Sequence, residues 1–153
     1  MKFEGTAKTN EGYLWLISLI AAIVGLVDSI YLAWIKIADK TAACSNIGDC
    51  DAVNNSQYSE IAGIPIALLG AGAYMLILIV LVLEQRWPQQ KVNMRLGIFG
   101  LSLSGTLYSV YLTYLEIAVL RAICPFCVVS AIAIFVILIA GLFRLRRSLI
   151  DID

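Results

Sequence analysis

The chain has no histidine, and only 14% of its 153 residues are charged. The missing imidazole removes the commonest general base and the commonest metal ligand. The share of charge is far below the roughly 25% of an ordinary soluble domain. Acidic and basic residues balance at 11 each, so there is no general pull toward nucleic acid or other polyanions. Neither a GxGxxG turn nor a P-loop occurs, which removes the usual nucleotide sites. What fills the chain instead is apolar: 61% of residues are hydrophobic and the mean hydropathy is +0.89. That balance excludes disorder and a water-soluble globule. The remaining feature is four cysteines, set in two close pairs.

Crossing about 30 Å of hydrocarbon takes about 20 apolar residues in a helix. Four runs qualify: about 13–37, broken by Asp28 and Lys36; 61–83; 96–120, broken by Glu116; and about 123–143. Backbone groups in lipid must bond within their own segment, so each run is expected to be a helix. The expected fold is an all-α integral membrane protein, one domain over 1–153, built as a four-helix bundle. The first run is too long for the apolar part of a signal peptide. The second connection, Glu84 to Arg95, is short and charged, with Pro88 as a breaker. The first, 38–60, is long and polar; the third, near Arg121, is almost nothing. Gly25 with Ser29, Ala67 with Ala71 and Gly100 with Ser104 have the spacing that lets helices approach closely in lipid.

Lysine and arginine set the orientation. Lys2, Lys8, Arg86, Lys91, Arg95, Arg144, Arg146 and Arg147 fall on one side; only Lys36, Lys40 and Arg121 fall on the other. Both termini are therefore expected to be cytoplasmic, in the cell membrane. All four cysteines then lie on the extracytoplasmic side, where disulfides form and persist.

Cys44 and Cys50 stand in the first loop. Cys124-Pro125-Phe126-Cys127 opens the fourth helix. Pro125 suits a first helical position, where a missing N–H costs nothing. Cys124 would sit at the positive end of the helix, which favours a thiolate, with Cys127 one turn deeper on the same face. Three readings of the sulfurs stand: two structural disulfides in a non-enzymatic four-span scaffold, a four-cysteine metal site, or two redox pairs exchanging electrons. The spacing of the first pair is unusual for a metal site. Shared sidedness favours exchange. With no nucleotide motif and no histidine for haem, the acceptor left by elimination is a quinone dissolved in the bilayer.

These residues carry a resemblance. Gly25-Leu26-Val27-Asp28-Ser29, Cys44 through Cys50-Asp51 with Ser56, Gly63-Ile64-Pro65, and Tyr111-Leu112-Thr113-Tyr114-Leu115-Glu116 followed by Cys124-Pro125-Phe126-Cys127 resemble the microbial branch of the vitamin K epoxide reductase family. The resemblance implies a long extracytoplasmic loop capping a quinone pocket. It implies Cys127 beside the quinone, Cys124 as its partner, and Cys44 with Cys50 as a shuttle pair. A thioredoxin-like protein would engage Cys44, Cys50 would pass electrons to Cys124, and the outcome would be disulfide formation. Many microbial members carry that protein as a fused domain, so here the resemblance implies a separate partner. Ser56 matches a family hydroxyl at the pocket or loop. Animal members carry an Asn before helix two and a Tyr four residues after the last cysteine, where Ser59 and Ala131 stand. The microbial role therefore fits better than vitamin K epoxide or quinone reduction as such, which remains the alternative enzyme.

Four further features have competing readings. Asp28, a carboxylate within a span, is either a proton carrier for the quinone or a structural hydrogen-bonder. Glu116 is expected to pair with Arg121 or to lie exposed at the interface. Tyr31, Trp34, Tyr108, Tyr111 and Tyr114 are expected to belong mainly to an interfacial aromatic belt. Asn54-Asn55-Ser56 matches a glycosylation sequon.

Overall fold

The computed structural model describes residues 3–42, 44 and 48–150. Helix α1 spans Phe3–Ile37 and is followed by a short helix α2, Cys50–Asn54, within the first loop. A two-stranded antiparallel ribbon, β1 (Glu60–Ile61) with β2 (Ile64–Pro65), leads into α3, Ile66–Arg86. A 3₁₀ turn at Pro88–Gln90 precedes α4, Lys91–Leu115. Helix α4 runs on as a π-helical turn, Glu116–Leu120, before α5, Pro125–Ile150. Four segments are long and apolar enough to cross a membrane: Asn10–Ile37, Ile66–Arg86, Pro88–Leu120 and Pro125–Ile150.

The chain is thus a multi-pass membrane protein with an all-α bundle, as its hydropathy implies. Ile23, Val27, Leu107, Val110 and Phe135 stand exposed on the outside, a surface that suits lipid and not water. The inward faces of the helices meet in a core of Ala22, Tyr74, Ile77, Leu81, Ile98, Ala133, Ile134 and Ile137. Helix α1 packs on both α3 and α5, and α5 on α4, while α3 and α4 meet more loosely. That looser seam leaves room for a cavity.

Two boundaries depart from expectation for local reasons. The second span begins at Ile66, not at 61, because Ala62 and Gly63 both take positive φ and fold the chain into the ribbon turn. The third connection is longer than expected, because Arg121 adopts a left-handed conformation (φ 50°) that ends the π-turn.

The small-residue pairs divide. Gly25 lies under the Tyr74 ring, where an added Cβ would come within 2.2 Å of ring carbon, and Gly70 faces Ser29. The first pair is therefore a packing seam between α1 and α3, and Ala71 is buried. Gly100 faces open space, and Ser104 is exposed and bonds back to the Gly100 carbonyl at 2.9 Å. That third pair packs no helix here.

Candidate functional site

Pro125 is the first residue of α5, as its missing N–H favours. The Cys124 sulfur then takes the position of a capping acceptor and receives the Cys127 N–H at 3.4 Å. The Cys127 thiol also donates to the Cys124 sulfur, and this holds the Cys124 thiol below its ordinary range, against the opposing effect of burial. Both are free thiols; Cys124 is fully buried and Cys127 half-buried. Cys44 and Cys50 are joined in a disulfide, Cα to Cα 5.9 Å.

The loop brings the two pairs together. Asp49 caps α2 by accepting the Ala52 N–H at 3.0 Å, and Asp51 accepts the Ala42 N–H at 2.8 Å. The Asp49 N–H donates to the Ile123 carbonyl at 3.1 Å, which ties the loop to the segment just before Cys124. Gly48 makes that contact possible, since a Cβ there would lie 2.3 Å from the Ile123 oxygen. Cys44, Cys50 and Cys124 consequently share one buried cluster, and Cys127 packs against it.

Beside this cluster lies a cavity of about 390 Å³. Its walls come from α1 (Asp28, Ser29, Leu32), the loop (Ser56, Ser59), α3 (Tyr74), α4 (Tyr108, Leu112), the π-turn (Glu116) and α5 (Cys127, Ser130). Cys127 therefore faces the cavity, and Cys124 is buried in the cluster with the disulfide. Asp28 is 7% exposed, and its Oδ2 has no hydrogen-bond partner among the described residues. The nearby Tyr74 hydroxyl is spent elsewhere, donating to the Ser130 carbonyl at 2.7 Å. The hydroxyls of Ser56 and Ser59 are also committed, donating to the carbonyls of Val53 (2.8 Å) and Ser56 (2.7 Å).

Two residues important to this arrangement escaped the sequence reading. Glu116 is not paired with Arg121 and is not exposed. It is 4% exposed, its Oε2 accepts the Cys124 N–H at 3.2 Å, and it lines the cavity beside Cys127. The π-turn widens the helix at Glu116 and aims the side chain inward, while Arg121, in its left-handed turn, stays exposed. Its place in a span, eight residues before a CxxC, was the available signal. Lys36, counted only as an orienting charge, reaches back over the loop. It donates to the Asn54 carbonyl at 2.6 Å and to the Ser59 hydroxyl, and pairs with Glu60 at 3.2 Å.

The aromatic residues split between two uses. Trp34, Tyr111 and Tyr114 are exposed as a belt requires. Tyr108 lines the cavity instead, and Tyr31 stacks on Phe126 with ring centres 5.0 Å apart. Asn54 lies within α2 on the cavity wall, its side chain bonded to the Leu32 carbonyl, so it is no free loop acceptor for a glycan. Among the described residues no group of histidine, cysteine, aspartate or glutamate could hold a metal ion. The family model described as the vitamin K epoxide reductase family matches residues 16–142.

Proposed function

The chain belongs to the vitamin K epoxide reductase family, and from that premise we propose that it oxidises a thioredoxin-like protein and passes the electrons through its two cysteine pairs to a membrane quinone. Membership makes it an oxidoreductase of the membrane thiol and quinone kind. The finer reading rests on one observation: Cys127 faces the cavity while Cys124 is buried against the Cys44–Cys50 disulfide.

The cavity suits a quinone head group. Its walls are mostly apolar, and Asp28 holds a buried oxygen with no partner among the described residues. Ser56 and Ser59 shape the loop side of that wall and keep the loop folded over it. A bound quinone would accept two electrons and two protons and leave as the hydroquinone.

The partner's thiolate attacks Cys44, and Cys50 leaves as the thiolate. Cys50 then attacks Cys124 of an oxidised inner pair, and Cys127 is released toward the cavity. A second partner thiolate resolves the partner–Cys44 disulfide and frees Cys44, which attacks Cys50 and releases Cys124; two partner thiols thus become one disulfide, the Cys44–Cys50 bond re-forms and the inner pair gains two electrons. The pairing in the structure, outer pair oxidised and inner pair reduced, is the state poised to deliver them. In this reading the partner is a separate protein, both termini are cytoplasmic and the cysteine end faces the extracytoplasmic side of the cell membrane.

The animal positions associated with the quinone pocket argue against epoxide chemistry here. Ser59 lines the cavity with its hydroxyl committed, and Ala131 lies off it, in a groove between α4 and α5. The decisive experiment is quinone reduction by the purified protein, driven by a reduced thioredoxin-like protein. Cys127→Ser is expected to abolish turnover, and turnover at the wild-type rate would sink the proposal.

A further inference from the structure

A buried carboxylate beside the inner pair has no part in the electron path just described. Glu116 is 4% exposed and lines the cavity beside Cys127. Its Oε2 accepts the Cys124 N–H at 3.2 Å, and Cys127 stands beside it on the cavity wall. No cation pairs with it among the described residues, whose ion pairs involve Lys36, Arg95 and Arg144 with other carboxylates. Among the described residues its carboxyl is thus held by one backbone N–H, with the Cys127 thiol beside it.

We propose that Glu116 is the proton carrier of the inner pair: it takes the Cys127 proton when the Cys124–Cys127 disulfide forms and returns it when that disulfide is reduced. A buried carboxylate with a single backbone donor is costly, and taking up the proton that oxidation of Cys127 releases removes that cost. Glu116 opens the π-turn, and from there its carboxyl reaches the Cys124 N–H.

The balance rests on the quinone-linked reading above. Two S–H bonds break and one S–S bond forms, and two electrons leave for the acceptor. Glu116 takes the Cys127 proton, and the Cys124 proton goes to the acceptor. Asp28, on the α1 wall, relays the acceptor's second proton from solvent. The next reduction of the disulfide returns the Glu116 proton to Cys127. Glu116 thus serves the sulfurs and Asp28 serves the acceptor, from separate walls of one cavity.

The test is an infrared difference spectrum, oxidised minus reduced, of the full-length protein in lipid with no quinone added. A protonated-carboxyl band should appear on oxidation, survive in Asp28→Asn and vanish in Glu116→Gln. Gln keeps an acceptor for the Cys124 N–H but takes no proton. An unchanged band in Glu116→Gln, or a band that vanishes only in Asp28→Asn, overturns the assignment. Should Glu116→Gln fail to fold, Glu116→Asp decides: a shifted band supports Glu116, and an unshifted one refutes it. Quinone reduction by Glu116→Gln should fall about 100-fold, in line with the loss of one positioned proton carrier. Cys127→Ser separates the two proposals. Wild-type turnover in Cys127→Ser ends the quinone-linked reading but leaves the infrared assignment standing, because that measurement contains no quinone.

Discussion

The two ends of the bundle bury charge in opposite ways. At the end away from the cysteines, Glu84 on α3 bonds Arg95 on α4 at 2.7 Å and Arg144 on α5 at 2.5 Å. Arg95 also pairs with Glu11 on α1 at 3.0 Å, and donates to the Arg144 carbonyl and to Ser148. Two carboxylates meet two guanidinium groups, and all four spanning helices contribute. At the cysteine end, Asp28 has an oxygen with no partner among the described residues, and Glu116 is held by one backbone N–H beside the Cys127 thiol. A paired buried charge fixes geometry. An unpaired one, kept at a cost beside a cavity, is available to move a proton. The comparison assigns the first end to holding the bundle together and the second to chemistry.

The largest effect should come from breaking the paired end. Glu84→Ala strips Arg144 of the one carboxylate it bonds directly among the described residues, and its Nε and Nη1 already have no partner. Removing one member of a buried pair costs about 3–5 kcal/mol. Thermal unfolding in detergent should show that loss, while the protein still folded keeps its quinone reductase rate. A variant that melts normally but has lost turnover would break the division between the ends.

The next effect should come from the unpaired end, with the opposite signature. Asp28→Asn keeps the shape of the side chain and removes its proton chemistry. Quinone reduction should fall about 100-fold, or about 2.7 kcal/mol in the barrier. Stability should change by less than about 1 kcal/mol, because the free oxygen had no hydrogen bond to lose. Equal losses of stability and rate would instead make Asp28 a structural residue like Glu84.

The same contrast explains how much of the molecule was legible in the sequence. The four spans are continuous apolar runs, so hydropathy alone finds them. The cysteine end is legible because Cys124 and Cys127 are neighbours in sequence and the loop pair lies on the same end of the bundle. The ionic cluster is not, because Glu11, Glu84, Arg95 and Arg144 are far apart in the chain and meet only when the helices pack. Arg95 and Arg144 read as loop charges at the membrane surface; both lie within helices and are buried. Glu116 was misplaced for a local reason. A regular helix followed by a tight hairpin puts it near Arg121, and the π-turn with its left-handed end separates the two.

The smallest effect should come from Lys36, which joins the two kinds of behaviour. It is a paired charge at the cysteine end, with its partner Glu60 largely in solvent: the two side chains are 11% and 46% exposed. An ion pair so exposed contributes about 0.2–1 kcal/mol. The bonds from Lys36 to the Asn54 carbonyl and the Ser59 hydroxyl matter more, because they hold the loop that carries Cys50 against the cavity. Lys36→Met keeps the apolar stem and removes the donors. Global stability should fall by about 1 kcal/mol or less, within the scatter of a surface change. Hydrogen exchange should rise selectively at the backbone amides of α2, and exchange in the core of α3 and α5 should stay as it was. Unchanged exchange in α2 would show that the Asp49 and Asp51 contacts hold the loop by themselves. A global rise would place Lys36 with Glu84 among the residues that hold the bundle, and the charge at each end would then no longer divide by function.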